Sequence, residues 1–346
     1  AIPHVIVNDF YLKYIIFKTF LIYYNSINFI KKNNIQAYYT SYSSYINHGL
    51  LVRILLLKKV KVYALPRNYG NNYVNLLSIK HPYSKKYYNN LLTKFKSEKN
   101  PLKKINYSNA ELNKRFFGKG DKLTKYIKFK ANYKPTLIKD FNFEGVVFLH
   151  DFYDAPHEMG LRLFTDLYEW FDFLNYTFKK NELNFAFKFH PNNKPESKIF
   201  NNFLKKKYNC NFLDSKISNT EIFKSKKFNT GISVCGSVLY ELLYFKKIPL
   251  YLSENLISPL NIHKLPKNKD EYEKLIVNHK KIKISNKMIK DMLKIYYMAL
   301  NDQSSFECTI AKKVRLKDSS FLNPSNLDQY IKKIEPEIKK FYFKGN

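Results

Sequence analysis

Glycine and cysteine are scarce in this chain of 346 residues, which contains nine glycines and three cysteines. With only 13 prolines as well, the composition excludes collagen-like and linker-rich architectures. Cys210, Cys235 and Cys308 form no CxxC pair and no framework of paired spacings. They predict buried thiols in a reducing compartment, so we expect a cytoplasmic protein.

Long apolar runs are missing too. The best candidate, from Tyr11 to Tyr24, is interrupted by Lys13 and Lys18, whereas a helix that spans a bilayer needs about 20 mostly apolar residues. We expect no spanning helix, and at most peripheral contact with the inner face of the cytoplasmic membrane. The sequence begins at Ala1 rather than Met, so removal of an N-terminal segment stays an open alternative.

Arginine is the third scarcity. The net charge is +32, but only five of the 60 basic residues are arginines. Base readout and bidentate phosphate binding favour arginine, and the enrichment in Lys, Asn, Ile, Phe and Tyr is typical of an AT-rich genome. We therefore expect no specific nucleic-acid partner. The lysines remain available for nucleotide phosphates, a polyanionic glycan or an anionic membrane surface.

Aromatic residues are abundant, with 29 tyrosines and 29 phenylalanines. A chain so rich in large apolar side chains can form packed cores and is not disordered by composition. Its length suggests about two domains.

Predicted strands and helices alternate along the chain, which favours an α/β fold with parallel sheets. In the first half, the patterns predict strands over residues 4–8, 35–40 and 60–65 and helices over 10–32 and 45–57. Residues 67–140 are polar and hard to interpret, and 106–122 predicts a loop with a short helix.

The second half alternates more regularly. Its predicted strands cover residues 145–150, 184–190, 210–213, 228–234 and 248–252. Its predicted helices cover residues 160–179, 195–206, 221–226, 237–245, 269–278, 286–300 and 325–341. We expect two Rossmann-like domains that face each other across a cleft, over residues 1–140 and 141–320, and a C-terminal helix over 321–346. Ligands of such sheets bind at the carboxyl ends of the strands.

His190 and Pro191 end one of these predicted strands. A histidine there can donate a hydrogen bond to a phosphate oxygen in the crevice, and Pro191 ends the strand. The structural alternative is a histidine that binds a loop carbonyl. A second His-Pro pair, at His81 and Pro82, follows no clear strand and is interpreted as chance.

A turn of small residues lies between the next predicted strand and its helix. Gly236 allows a ligand to approach the backbone, and Ser237 is a natural N-cap whose following N–H groups attract an anion. Ser233 and Glu241 flank this turn, and a carboxylate at 241 can accept from ribose hydroxyls. An ordinary capped helix is the structural alternative. The segment matches neither GxGxxG nor GxxxxGK[ST], which disfavours dehydrogenases and P-loop proteins.

The third motif packs two carboxylates and two imidazoles directly after a predicted strand. Asp151 or Asp154 could act as the base that deprotonates an acceptor hydroxyl, with His150 or His157 orienting it. A polar loop in which Asp154 caps the following helix is the structural alternative. Zinc bound by His150, Asp154 and His157 is a weaker one, because their spacing matches no known zinc signature and Pro156 opposes a regular helix.

The segments FLHDFYDAPHEMG, FTDLYEWFDF, NFAFKFHPNN and NTGISVCGSVLYELLYFKKIPLYLS together resemble bacterial capsule and lipopolysaccharide glycosyltransferases of the GT-B fold. The resemblance is strongest to the branch that includes Kdo transferases, and bacterial sialyltransferases share the His-Pro signature. It covers residues 143–255, about a third of the chain.

This resemblance implies roles for single residues. His190 would contact the phosphate of the donor nucleotide, Ser233, Gly236 and Ser237 would cradle the same phosphate, and Glu241 would hold the ribose. In related enzymes the acceptor base is often an acidic residue of the N-terminal domain, which leaves the role proposed for Asp151 open.

One departure from the family pattern and one absent motif refine this expectation. The family usually has glycine where Lys246 and Lys247 stand, and we expect the lysines to end the helix instead. No D-x-D motif occurs, which favours a metal-independent transferase with no cofactor, whose leaving group is neutralised by histidine, lysine and a helix dipole. A CMP donor fits this arrangement, because its single phosphate carries less charge.

The sequence thus predicts an enzyme that moves a sugar, such as Kdo or another acidic sugar, from a nucleotide-sugar onto a glycan or lipid-linked glycan of a surface polysaccharide. A CDP-polyol phosphotransferase of the teichoic-acid type and a sugar-nucleotide 2-epimerase are alternatives within enzymes. A non-catalytic Lys-rich module that binds nucleic acid or membrane is the alternative of another class.

Overall fold

The residues that the structure describes form two separate β-sheets with helices packed against them. This computed structural model describes residues 10–40, 43–64, 75–77, 89–116, 141–152, 160–161, 163–191 and 195–301. The predicted strand over 4–8 and the predicted helix over 325–341 lie outside these residues.

The first sheet is small and has the strand order β1-β2-β3. Strands β1 (Ala37–Thr40) and β2 (Lys61–Ala64) are parallel, and β3 (Asn75–Leu76) pairs antiparallel with β2. Helix α1 (Phe10–Lys32) precedes β1, and a π-helix (Tyr45–Gly49) that continues into α2 (Leu50–Leu57) joins β1 to β2. This is a βαβ crossover of the kind that parallel strands require.

The core under the first sheet is correspondingly small. Its buried members are Val52, Leu55, Leu56, Val62 and Leu77. Four of these five residues come from α2 and β2. The core of the first sheet and its helices, together called the first unit, therefore depends on the packing of α2 against β2.

The second sheet has five strands, all parallel, in the order β6-β5-β4-β7-β8. They are β4 (Gly145–Phe148), β5 (Phe185–Lys188), β6 (Phe212–Leu213), β7 (Thr230–Ser233) and β8 (Ile248–Tyr251). The helices that join them are α5 (Leu167–Lys180), α6 (Pro195–Lys207), α7 (Asn219–Lys224) and α8 (Val238–Tyr244). Helices α9 (Lys269–Val277) and α10 (Asn286–Asn301) follow, and two short 3-10 turns cover Ser258–Leu260 and His279–Lys281.

Helices cover both faces of the second sheet. Val147 and Phe187 point into a core shared with Trp170 of α5, while Val146 and Phe148 point into a second core with Leu242 of α8. Because side chains alternate along a strand, every residue of β4 is buried on one face or the other. This is the three-layer arrangement of a doubly wound sheet.

Two helices that precede β4 in sequence also belong to this packing. Helix α3 (Asn89–Phe95) and helix α4 (Pro101–Phe116) pack against α10, and Leu91 and Leu112 lie in the same core as α8. The domain bounds 1–140, 141–320 and 321–346 stay a prediction.

The α/β class predicted from the sequence is confirmed, because each half of the chain has its own sheet with parallel strands joined by helices. Three element predictions need correction. Helix α4 begins at Pro101, ahead of the short helix expected within 106–122, because Ile105 and Leu112 face the core from one side. Helix α5 begins at Leu167 rather than at 160, because the Asp166 carboxylate accepts from the N–H of Glu169 and caps the helix there. The helix predicted over 45–57 begins as a π-helix.

Candidate functional site

The carboxyl ends of all five parallel strands lie at one edge of the second sheet. The chain leaves β4 towards β5 on one side and leaves β7 towards β8 on the other, although β4 and β7 are neighbours. Such a divergence of crossovers opens a crevice at the strand ends, where open α/β sheets bind their ligands. The residues that directly follow β4 and β7 therefore line the candidate site.

His150 and Ser233 meet across this point. Nε2 of His150 lies 3.2 Å from Oγ of Ser233, which also lies 3.1 Å from the carbonyl oxygen of Phe148 and 3.0 Å from that of Cys235. The N–H of Cys235 donates to the same Nε2 at 3.4 Å. In that contact Nε2 is an acceptor, so the proton of the neutral imidazole lies on Nδ1.

Gly236 lies at the start of the turn beyond β7 with a φ of +114°. This backbone conformation favours glycine, since a side chain would be strained there. An added Cβ would meet no heavy atom closer than Cε1 of His150, at 3.8 Å. A Cβ at this position would therefore lie in ordinary van der Waals contact with the His150 ring. The Gly236 backbone is exposed, and the approach of a ligand to it stays a prediction.

Asp151 is held by the helix layer. Its Oδ1 accepts a short hydrogen bond from Oγ of Ser197, in the first turn of α6. This contact places the Asp151 carboxylate at the end of β4 and ties it to the crossover that follows β5. Asp154 and His157 lie outside the described residues, so the choice between Asp151 and Asp154 as base stays a prediction.

His190 and Pro191 follow β5 at the same edge. His190 is half-buried and Pro191 is exposed, and the strand next to β5 is β4, which ends before His150. The two histidines thus follow neighbouring strands. The pair His81-Pro82 lies outside the described residues.

Ser237 and Glu241 are both hydrogen-bonded to Arg115, which the sequence patterns did not indicate as a site residue. Nε of Arg115, in α4, donates to Oε1 of Glu241 at 2.7 Å, and its Nη2 donates to Oγ of Ser237 at 2.6 Å. Nδ2 of Asn219 lies 3.5 Å from the other carboxylate oxygen of Glu241. Glu241 is buried, so Arg115 neutralises a carboxylate that would be costly to bury alone.

Ser237 is the N-cap of α8, as the sequence predicts, but it lacks the side-chain hydrogen bond of a usual N-cap. Its backbone is helical at this position. Its hydroxyl accepts from Arg115 instead. The Arg115 guanidinium, which extends from α4, thus replaces a backbone N–H of α8 as the donor to the Ser237 hydroxyl oxygen.

Lys188 is a second buried cation near Glu241. It ends β5, is 3% exposed, and donates from Nζ to the carbonyl oxygen of Ser215 at 3.4 Å. Burial lowers the pKa of Lys188 to about 8, against the opposing influence of the Glu241 and Asp214 carboxylates. Two basic side chains, Arg115 and Lys188, therefore act on the Glu241 carboxylate.

The sequence contains an unusual feature at both Arg115 and Lys188. Arg115 is one of only five arginines, and Lys188 interrupts an otherwise apolar strand, NFAFKFH. A charged residue inside a central parallel strand is rarely buried without a partner. What the sequence could not supply was the partner, because 53 residues separate Lys188 from Glu241 and 126 separate Arg115 from it.

Metal ligation finds no support within the part of the chain that the structure describes. No group of three or more histidine, cysteine or acidic side chains is placed there to hold an ion. The zinc alternative required Asp154 and His157, which fall outside that part.

The site residues therefore form two groups at one edge of the sheet. His150, Ser233 and Gly236 meet at the crevice between β4 and β7. Ser237 and Glu241 are joined through Arg115.

Comparisons with known proteins add little to this geometry. No protein-family model matches the chain, and no curated protein matches it. One similar solved structure is a protein from Listeria monocytogenes provisionally described as a UDP-N-acetylglucosamine 2-epimerase, with 10% sequence identity and a TM-score of 0.31. The match covers 86% of this chain and 79% of that one. A likeness of this strength says nothing about the substrate of this chain.

Proposed function

We propose that the chain is a metal-independent glycosyltransferase that uses a nucleotide-sugar, with a CMP-sugar as donor. The observation that carries this proposal is the meeting of His150, Ser233 and Gly236 at the point where the crossovers diverge. An exposed glycine backbone and an imidazole at that point suit a nucleotide phosphate. The acceptor is a glycan or lipid-linked glycan of a bacterial surface polysaccharide, and the transferred sugar is Kdo or another acidic sugar.

Transfer of a sugar separates it from the nucleotide phosphate and removes a proton from the acceptor hydroxyl. His190 and His150 would donate to the departing phosphate, and Lys188, buried at the end of β5, would add positive charge near the same edge. Asp151 or Asp154 would take the acceptor proton. Glu241 would accept from the ribose hydroxyls only after Arg115 turns away, because the pair is buried and closed.

Calorimetric titration with CMP, CDP, UDP, GDP and ADP tests the proposal. We expect the wild type to bind CMP best, and His190→Ala to weaken that binding by about tenfold or more, since a hydrogen bond to a charged group contributes about 1.5–3 kcal/mol. His48→Ala is the matched control, because His48 lies in the π-helix of the first unit, and its affinity should equal that of the wild type.

The other nucleotides separate the alternatives. Selective binding of CDP would favour a polyol phosphotransferase, and selective binding of UDP would favour a hexosyltransferase or a 2-epimerase. No binding of any of the five at millimolar concentration would overturn the proposal. Together with binding to random DNA that falls steeply with salt, that result would favour the basic binding module.

A further inference from the structure

Helix α1 has two apolar faces, and one of them packs against neighbouring elements of the described residues. Leu12, Ile15, Thr19 and Ile22 are half-buried, and the helix packs against α2 and the π-helix. Their spacings of three, four and three residues place them on one face. This inner face explains how α1 is attached to the first sheet.

The outer face carries a second apolar stripe. Phe10, Phe17, Leu21 and Tyr24 are separated by seven, four and three residues, and their exposed fractions are 83%, 61%, 46% and 65%. At 3.6 residues per turn, this stripe points in the direction opposite to the inner face. Phe20, also exposed, widens it. Contiguous exposed apolar surface of this kind marks an interaction site.

Charge indicates what the outer face binds. The helix contains Lys13, Lys18, Lys31 and Lys32 and no acidic residue. Lysine side chains can extend their ammonium groups to a charged surface while neighbouring phenylalanines enter an apolar layer. A helix with lysines beside phenylalanine and leucine is the composition of helices that lie in a membrane interface.

A second copy of the chain fits this face less well. Packing two α1 helices together would bring eight lysines close with no acidic residue on either helix, and each chain carries a net charge of +32. An anionic lipid surface supplies the opposite charge and an apolar layer at once. No helix of the described residues is long and apolar enough to cross a bilayer.

We propose that the outer face of α1 binds the surface of an anionic bilayer. The helix lies in the plane of the headgroups, with Phe10, Phe17, Leu21 and Tyr24 entering the acyl boundary and the lysines contacting lipid phosphates. The sequence suggested peripheral membrane contact, and this proposal assigns that contact to the outer face of α1. The proposal does not depend on the nucleotide chemistry.

Flotation with lipid vesicles tests the apolar part. The wild type should float with vesicles of equal parts phosphatidylcholine and phosphatidylglycerol and should not float with phosphatidylcholine alone. The double variant Phe17→Ser, Tyr24→Ser should bind about tenfold or more weakly, because each large apolar side chain contributes about 1.5–3 kcal/mol when buried. The control is Tyr176→Ser, Ile199→Ser, which removes exposed apolar side chains from α5 and α6. Equal loss in both double variants, or no loss in either, would overturn the proposal.

The lysines are tested in the same assay. Lys13→Gln, Lys18→Gln should weaken binding to the anionic vesicles by about thirtyfold, at about 1 kcal/mol per lysine near the surface. The control Lys198→Gln, Lys206→Gln removes the same charge from exposed positions of α6. Equal weakening by both pairs would show that binding follows net charge and not this helix, which contradicts the proposal.

An indole placed on the stripe locates the contact. Trp170, the single tryptophan, is fully buried, so brominated lipids should not quench the wild-type fluorescence. They should quench Phe17→Trp, and should not quench Ile199→Trp. If instead the wild type sediments as a dimer that Phe17→Ser, Tyr24→Ser converts to a monomer, and neither binds anionic vesicles, the face is an interface between copies and the proposal fails. Nucleotide binding measured on the same variants should stay unchanged, which separates this result from the test of the enzyme.

Discussion

The two sheets of this protein use apolar side chains in opposite ways. The second sheet is covered on both faces, and large side chains such as Trp170 and Phe187 are fully buried there. The first unit buries five residues in its core, while α1 presents phenylalanines to the outside. Similar composition therefore serves internal stability in one region and exposed surface in the other.

The helix ends, in contrast, are built alike in both regions. Lys59 after α2 and Lys246 after α8 both adopt a left-handed backbone, with φ near +58° and +57°. In each case the residue after it donates its N–H to a carbonyl five residues back, from Val60 to Leu55 and from Lys247 to Leu242. This is the Schellman motif, which usually employs glycine. A chain with nine glycines forms it with lysine.

The largest difference between the two regions should appear on truncation of an aromatic side chain. Trp170→Ala should lower the free energy of unfolding by about 3–5 kcal/mol, because it removes a fully buried ring and the donor to the Tyr272 hydroxyl. Phe20→Ala in α1 should change it by less than about 0.5 kcal/mol. Urea unfolding measures both, and equal losses would contradict the contrast between the sheets.

A buried charge distinguishes the second sheet further. Lys188→Met should raise the free energy of unfolding at pH 7 by up to about 3 kcal/mol, since burial holds the Lys188 pKa at about 8, below the ordinary value of 10.5. Below pH 8 Lys188 is charged in both the folded and the unfolded chain, and only folding removes its ammonium group from water. Exposed Lys198→Met is the control and should stay within about 0.5 kcal/mol.

The pH dependence of this pair has a definite sign. Between about pH 8 and 10.5 the unfolded wild type binds more protons at Lys188 than the folded wild type, so stability rises with pH. The advantage of Lys188→Met should therefore shrink over this window. If Lys188 serves the donor phosphate, the more stable variant should also bind CMP more weakly; unchanged CMP affinity would remove Lys188 from the proposed site.

Within the second sheet, the crevice edge and the interior should respond differently to an added methyl group. Gly236→Ala should cost about 1–3 kcal/mol from backbone strain alone, because its φ is +114° and its Cβ would make only ordinary van der Waals contact, 3.8 Å from Cε1 of His150. Gly231→Ala should cost at least as much by overpacking, because its Cβ would lie 2.4 Å from Cδ1 of Leu242. Thermal unfolding compares the two, and a silent Gly236→Ala would argue against the strained turn.

The smallest expected effect concerns the helix ends that both regions share. Lys59→Gly and Lys246→Gly should each raise the free energy of unfolding by about 0.5–1 kcal/mol, because glycine adopts the left-handed backbone without steric cost. Opposite signs at the two positions would show that the helix ends differ after all.

Much of the fold could be read from patterns of residues. Apolar runs predicted every described strand of both sheets except β3. The helix predicted over 10–32 agrees with α1 at both ends. The N-terminal bound of α5 was missed because apolar residues at helical spacing begin at Leu163, ahead of Asp166, whose side chain caps the helix. The start of helix α4, at Pro101, was missed because its sequence is polar and its packing against α10 joins segments far apart in the chain.

By itself, the sequence determined the α/β class and placed the ends of every described strand except β3 to within two residues, because apolar periodicity and strand-ending residues act over a few neighbours. Only the tertiary structure decided that His150 meets Ser233, that Arg115 binds Glu241 and Ser237, and that Lys188 lies buried near them. It also decided which face of α1 is packed and which is exposed. These outcomes depend on strand order and on helix packing between residues far apart in the chain, which local patterns do not encode.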